Sequence, residues 1–195
     1  MVQTSPGRVS EARSRLLETA TRIFYSEGIH AVGIDRIVAE AKVTRATLYR
    51  HFPSKEELVV AYLQAVHQMD RNQIEAAVTS GQPPADIVRA VAQSITDGIT
   101  SGHFRGCAFL NAVAEYPDAE HPVHQAVLAH RAWFAETVTT LFAQIGDTPP
   151  EPAARHFVML RDGAMAAGCL TNPTQVGETF RQGVEGLLAH RTTNG

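Results

Sequence analysis

The stretch from Val43 to Leu58, VTRATLYRHFPSKEEL, constrains this chain more than any other. Just ahead of it, Ile34, Ile37, Val38 and Ala41 recur at intervals of three and four. That spacing predicts one buried face on a two-turn helix. Lys42 and Val43 interrupt the pattern. Thr44 is suited to cap a second short helix, its hydroxyl accepting an unpaired backbone N–H. On that helix Leu48 and Phe52 lie four apart and face inward. Arg45, Ala46, Thr47, Tyr49, Arg50 and His51 are left facing outward. Pro53 cannot continue the backbone ladder and stops the helix. Ser54 followed by Glu57 forms a capping box, so a third helix starts there.

The outward face of the second helix has an unusual composition. Solvated helix faces commonly pair Glu with Lys or Arg at salt-bridge spacing. No acidic residue occurs between Val43 and Pro53. Cations, hydroxyls and one small residue stand there instead, the groups that phosphates and base edges require. Lys55 sits in the first turn of the third helix, where the helix dipole disfavours a cation. A lysine there is better explained by a facing phosphate. This is the layout of a helix-turn-helix DNA reader; the competing reading is a solvated basic helix in an unrelated bundle.

The run Thr44-Arg-Ala-Thr-Leu-Tyr-Arg-His-Phe-Pro-Ser-Lys-Glu-Glu-Leu resembles the DNA-binding signature of the TetR family of transcriptional regulators, over roughly residues 10–60. By position, the resemblance implies a recognition helix over 45–52. It implies phosphate contacts from Thr44, Tyr49, His51 and Lys55, with Arg45, Ala46, Thr47 and Arg50 nearest the base edges. The family commonly has glycine in the turn where this chain has Lys42. If the turn needs a positive φ, lysine there costs about 1 kcal/mol. A contact between Lys42 and a phosphate would offset part of that cost.

A net charge of −3 is at first sight wrong for a DNA binder, but the charge is divided. Residues 1–52 hold eight Lys or Arg against five Asp or Glu, and the remainder nine against fifteen. A basic head on an acidic body concentrates attraction for DNA at one end. The chain has 195 residues, 44% of them hydrophobic, enough for one large or two small cored domains. No apolar run approaches the roughly 20 residues needed to cross a bilayer. The N-terminus lacks the apolar core of a signal peptide. Cys107 and Cys169 have no CxxC spacing. A cytoplasmic protein with reduced thiols is expected.

The whole chain reads as helices, giving an all-α fold class. Residues 1–9 form an arm, in which Arg8 suits either a minor-groove contact or a plain tail. Ser10 can cap a first helix striped by Leu16, Ala20, Ile23 and Phe24, which Gly28 ends. Further helices are expected over 55–78, 85–100, 107–115, 122–145, 152–170 and from 173 onward. That makes three helices in an N-terminal DNA-binding domain, residues 1–53, and six in a ligand-binding and dimerisation domain, residues 54–195.

The helix over 153–170 is apolar or small nearly all round, with Gly163, Ala164, Ala166, Ala167 and Gly168 permitting close helix approach. Such a helix is expected to be buried on every side. Packing of the last two helices against two-fold mates would achieve this, and the resemblance implies the same homodimer. Gly163, Ala164, Ala167, Phe180, Val184 and Leu187 are its expected contacts. Arg161 and Asp162 interrupt the surface, and buried charges need partners. They are expected to pair with each other, across the interface or with Glu115, unless both sit at a solvated edge.

The resemblance also implies a small-molecule effector held in the body. Polar or aromatic residues on apolar faces are the candidates: Cys107, Asn111, Tyr116, His130, Trp133 and Phe134. Each has a plainer reading as a core residue. His121 and His124 have a spacing that a metal can use, but His121 precedes a proline and no third ligand is fixed. No metal or other cofactor is expected. Nucleophile elbow, Gly-rich phosphate loop and HExxH patterns are missing from the sequence. The expected function is a ligand-responsive regulator that binds double-stranded DNA at a palindromic operator, foremost as a repressor and with no membrane partner. A helical enzyme and a protein-interaction adaptor are the alternatives.

Overall fold

The computed structural model describes residues 11–146 and 148–189, so the readings of Arg8 and Ser10 lie outside the described residues. Nine helices and no strand occur among the described residues: α1 (Glu11–Glu27), α2 (Ile34–Glu40), α3 (Arg45–His51), α4 (Lys55–Thr79), α5 (Pro84–Thr100), α6 (Ala108–Glu115), α7 (Pro122–Ile145), α8 (Glu151–Ala167) and α9 (Pro173–Ala189). None of them is long and apolar enough to cross a membrane.

Local chemistry sets many of the boundaries. Thr44 Oγ1 accepts from Thr47 N at 3.1 Å and Ser54 Oγ from Glu57 N at 3.1 Å, so both expected caps form. Gly28 and Gly146 end α1 and α7 with φ of 92° and 101°, conformations that favour glycine. Pro84 and Pro122 open α5 and α7, where a missing N–H costs nothing.

The buried apolar residues fall into two clusters. One joins α1–α3 to the first half of α4, to α6 and to Val123 and Val127 of α7. The other joins Ile74 of α4 to α5, the later part of α7, α8 and α9. At 25 residues, α4 is about 37 Å long and contributes to both cores. Its Leu58, Val59 and Leu63 are buried with the head, and Ile74 with the body.

α9 lies very close to α5. A Cβ at Gly177 would stand 2.5 Å from Thr96 Cγ2, so glycine is what lets these helices touch. At the end of α8, a Cβ on Gly168 would meet Ile99 Cγ2 at 2.8 Å and Phe104 at 2.9 Å. That small residue therefore serves packing within the subunit, whereas Gly163 has open space around it.

α8 departs from expectation in two ways. It ends at Ala167 rather than running to 170, because Gly168 begins a series of turns. Nor is it enclosed on every side: Met159 is 70% exposed, and Leu160 and Gly163 are also exposed. α5, α7 and α9 cover one side of α8 within the subunit, leaving an apolar stripe uncovered.

Candidate functional site

The strongest candidate site is the outer face of α3 with its flanking turns. None of Lys42, Thr44, Arg45, Ala46, Thr47, Tyr49, Arg50, His51 and Lys55 is buried. Leu48 and Phe52, the anchors expected to face inward, are buried. Arg13 of α1 sits 4.9 Å over the Phe52 ring, bracing the end of α3. Tyr49 is 46% exposed, Arg50 projects into solvent, and Thr47 and His51 are half-buried. The Thr44 and Thr47 hydroxyls lie 2.9 Å apart. Lys55 is half-buried, its ammonium 6.0 Å from the Phe24 ring centroid, and burial lowers its pKa. Lys42 adopts φ 53°, so the turn does require the positive φ that glycine adopts freely.

The cations of the head divide into two groups. Arg15 pairs with Glu11, Arg22 with Glu40, Arg36 with Glu27 and Glu40, and Arg45 with Asp35. Among the described residues, Arg13, Lys42 and Arg50 have no carboxylate partner within ion-pair distance, and Arg13 lies over the Phe52 ring. The Lys42 and Arg50 charges are therefore available to an anion: Lys42 lies in the turn before α3 and Arg50 on its exposed face.

In the body, a layer of polar and aromatic side chains lies between the two apolar cores. His130 is 4% exposed and its ring stacks on Phe109, with centroids 3.5 Å apart and planes inclined by 6°. His67 and His130 approach Nδ1 to Nδ1 at 3.1 Å. If His67 donates, the His130 proton is on Nε2, facing Asp70 Oδ2 at 3.9 Å. Burial, with Arg161, His67 and Arg131 nearby, holds His130 down at about 3. Burial pushes the Asp70 carboxyl up. Trp133 meets His67 edge to face at 4.8 Å.

Arg161 is 8% exposed, which removes the solvated-edge reading. It donates to Asp162 at 2.9 Å and to Cys107 Sγ at 3.3 Å, and stands 5.5 Å from the Phe134 ring centroid. Asp162 also accepts from Arg131 at 2.8 Å. Glu115 is not the partner of Arg161. Its carboxylate instead accepts from the backbone N–H of Ile29 at 2.8 Å and of His30 at 2.5 Å, tying α6 to the head. Tyr25 makes a second tie, donating to Gly106 O at 2.9 Å and accepting from Arg105 N at 3.0 Å.

The six expected effector residues do not share one wall. Cys107, His130, Trp133 and Phe134 belong to this layer. Asn111 is on the outer side of α6, where its amide donates to Arg105 O at 2.9 Å. Tyr116 follows α6 toward the head, its ring 4.7 Å from His30 and 4.6 Å from His121. His121 Nδ1 accepts from Val123 N, and His124 Nδ1 lies 2.8 Å from Tyr116 O, so both histidines hold the start of α7. Sequence reasoning missed His67, Asp70 and Phe109. His67 and Asp70 are one turn apart on α4, a weak signal by itself.

The uncovered stripe of α8 and the neighbouring face of α9 form an open groove of about 720 Å³. Gly163, Ala167 and Leu187 line it, with His156, Met159, Leu160 and Val176. Ala164 and Phe180 line it too but are 7% and 2% exposed, and so form its floor. Val184, 1% exposed, belongs to the subunit's own core, because the repeat 180, 184, 188 faces inward.

Comparison with known proteins agrees with this arrangement. Residues 16–62 match the sequence profile of the bacterial regulatory proteins, tetR family. The crystal structure of a TetR-family transcriptional regulator from Streptomyces coelicolor is 66% identical with a TM-score of 0.89, over 92% of this chain and 95% of that one. The HTH-type transcriptional activator FasR of Mycolicibacterium smegmatis is 46% identical over 54 residues, 28% of this chain and 25% of that protein. An HTH-type transcriptional repressor of Mycobacterium tuberculosis is 29% identical over 140 residues, 68% of this chain and 71% of that protein. The match to FasR therefore spans a quarter of that relative's length.

Proposed function

We propose that this chain, which belongs to the TetR family of bacterial transcriptional regulators, binds operator DNA as a homodimer and releases it when a small molecule enters the body. One observation carries the DNA reading. An exposed helix without carboxylates stands on a head whose remaining cations are largely neutralised, with Lys42 in the turn before it and Arg50 on its surface. Residues 1–53 serve as the reader and 54–195 as the sensor and dimer body.

The α8/α9 groove supports the dimer reading. Two such apolar faces joined about a two-fold axis would cover Met159 and Leu160. The two α3 helices would then enter successive major grooves, roughly 34–36 Å apart, on a palindromic site. The polar layer supports the effector reading. Buried His130 and Arg161 beside aromatic walls offer polar handles in an apolar setting. α4 carries His67 and Asp70 in its middle and enters the head at Lys55. α6 carries Phe109 in the layer and Glu115 at the head. An effector that spreads the layer would move both helices and shift the population toward a head spacing that no longer fits.

Selection of operators from random DNA by the full chain tests this reading. Arg50→Ala should relax preference at a defined base pair and weaken binding by about 1–3 kcal/mol. Unchanged affinity and preference would remove Arg50 from the reader. If the wild-type chain selects no sequence at any salt concentration, the adaptor reading replaces ours.

A further inference from the structure

The ion pair between α2 and α3 calls for its own explanation. Arg45 is the first residue of α3, and Asp35 lies in the first turn of α2. Arg45 Nε donates to Asp35 Oδ1 at 2.5 Å, while its terminal nitrogen donates to Oδ2. The contact is a fork onto one side of the guanidinium. Both side chains are well exposed, at 62% and 71%. An exposed pair of this kind adds little to folding stability. The carboxylate also places a negative charge beside the surface proposed to approach phosphates, which weakens attraction to DNA of any sequence. A feature that adds little stability and opposes general DNA binding is explained if it serves selectivity.

We propose that Asp35 is a positioning residue for base reading, holding Arg45 so that the unoccupied end of its guanidinium addresses a guanine. This rests on the DNA-reading function proposed above. The side edge of Arg45, Nε with one N–H of the terminal nitrogen, is taken by Asp35. The end edge keeps two parallel N–H donors, the pattern that matches guanine O6 and N7. Without the fork, the long Arg45 side chain would sample phosphates and several base edges. A free arginine increases affinity for all sequences, whereas a held one discriminates. The other ion pairs described for the head join α1 and α2 residues and do not touch α3.

Operator selection followed by titration over a range of salt tests this on wild type, Asp35→Ala, Arg45→Ala and the double variant. Arg45→Ala should lose preference for one G·C pair in each half-site. Asp35→Ala should relax preference at that same pair by about fivefold or more, leaving other positions as they were. It should also bind random DNA more tightly, with a salt slope steeper by about one. The double variant should show no loss of preference at that pair beyond Arg45→Ala. Full discrimination at that pair in Asp35→Ala would overturn the inference, and so would an equal loss at every position, which is the mark of a distorted head. A wild type that selects no sequence would overturn both the DNA reading and this inference. A selective wild type with an indifferent Asp35→Ala would overturn the inference alone.

Discussion

Lys42 is a single residue at which a stability cost and a proposed benefit meet. Its φ of 53° is a conformation that glycine adopts freely and an L-residue with a side chain does not. Lys42→Gly should therefore raise unfolding free energy by about 1 kcal/mol, read from the urea midpoint at constant m-value. If its ammonium meets a phosphate, the same variant should bind DNA more weakly, with the salt slope reduced by about one. His130 supplies a second residue-scale prediction. Burial depresses its pKa to about 3 from the ordinary 6.5, so the unfolded chain takes up a proton that the folded chain refuses. The His130 contribution is full above about pH 6.5 and is lost as pH falls toward 3. Between pH 7 and pH 5 the loss should be about 2 kcal/mol. Arg161, His67 and Arg131 act in the same direction, and Asp162 opposes them. The half-buried Asp70 carboxyl, pushed up by desolvation, has a stability contribution of opposite sign. Urea titrations of wild type and His130→Asn at both pH values check this, and equal pH slopes would refute it.

At the scale of elements, the α5–α9 contact makes a sharp demand. Thr96 Oγ1 donates to Ala92 O at 2.9 Å in a buried setting, which fixes the rotamer that points Cγ2 at Gly177. Gly177→Ala should cost about 1–3 kcal/mol from overpacking, less the roughly 1 kcal/mol that alanine returns in a helix. Adding Thr96→Ser removes the offending methyl group and should restore the thermal midpoint; failure to restore it would place the strain elsewhere. Helix ends were legible in the sequence because caps are local: Thr44, Ser54, Gly28 and Pro122 each act within a few residues. The inward stripe of α1 was legible for the same reason. The polar layer was not, since it is assembled from α4, α6, α7 and α8, and no periodicity shows which buried polar residues will meet. Glu115 illustrates the difficulty: its carboxylate reaches the Ile29 amide, 86 residues away. Small residues on α8 signalled close packing correctly in kind, but Gly168 uses it against α5 and Phe104.

At the scale of the whole molecule, the proposed homodimer would use the uncovered α8/α9 groove. Met159 at 70% and Leu160 at 36% exposure are large apolar groups on a face that one subunit leaves open. Met159→Asp with Leu160→Asp should shift sedimentation from dimer to monomer while retaining helical circular dichroism. Operator affinity should then drop by about a hundredfold or more, because each reader binds alone. A double-aspartate chain that still sediments as a dimer would move the interface elsewhere. The head core has a consequence for engineering as well. Leu16, Ile23, Leu48 and Phe52 share one apolar cluster with Leu58, Val59, Phe109, Ala112 and Val123. A fragment cut after residue 53 would carry its recognition helix on a half-built interior. The head is thus no detachable module, and a chimaera that grafts it onto another protein must also transfer α6 and the first half of α4.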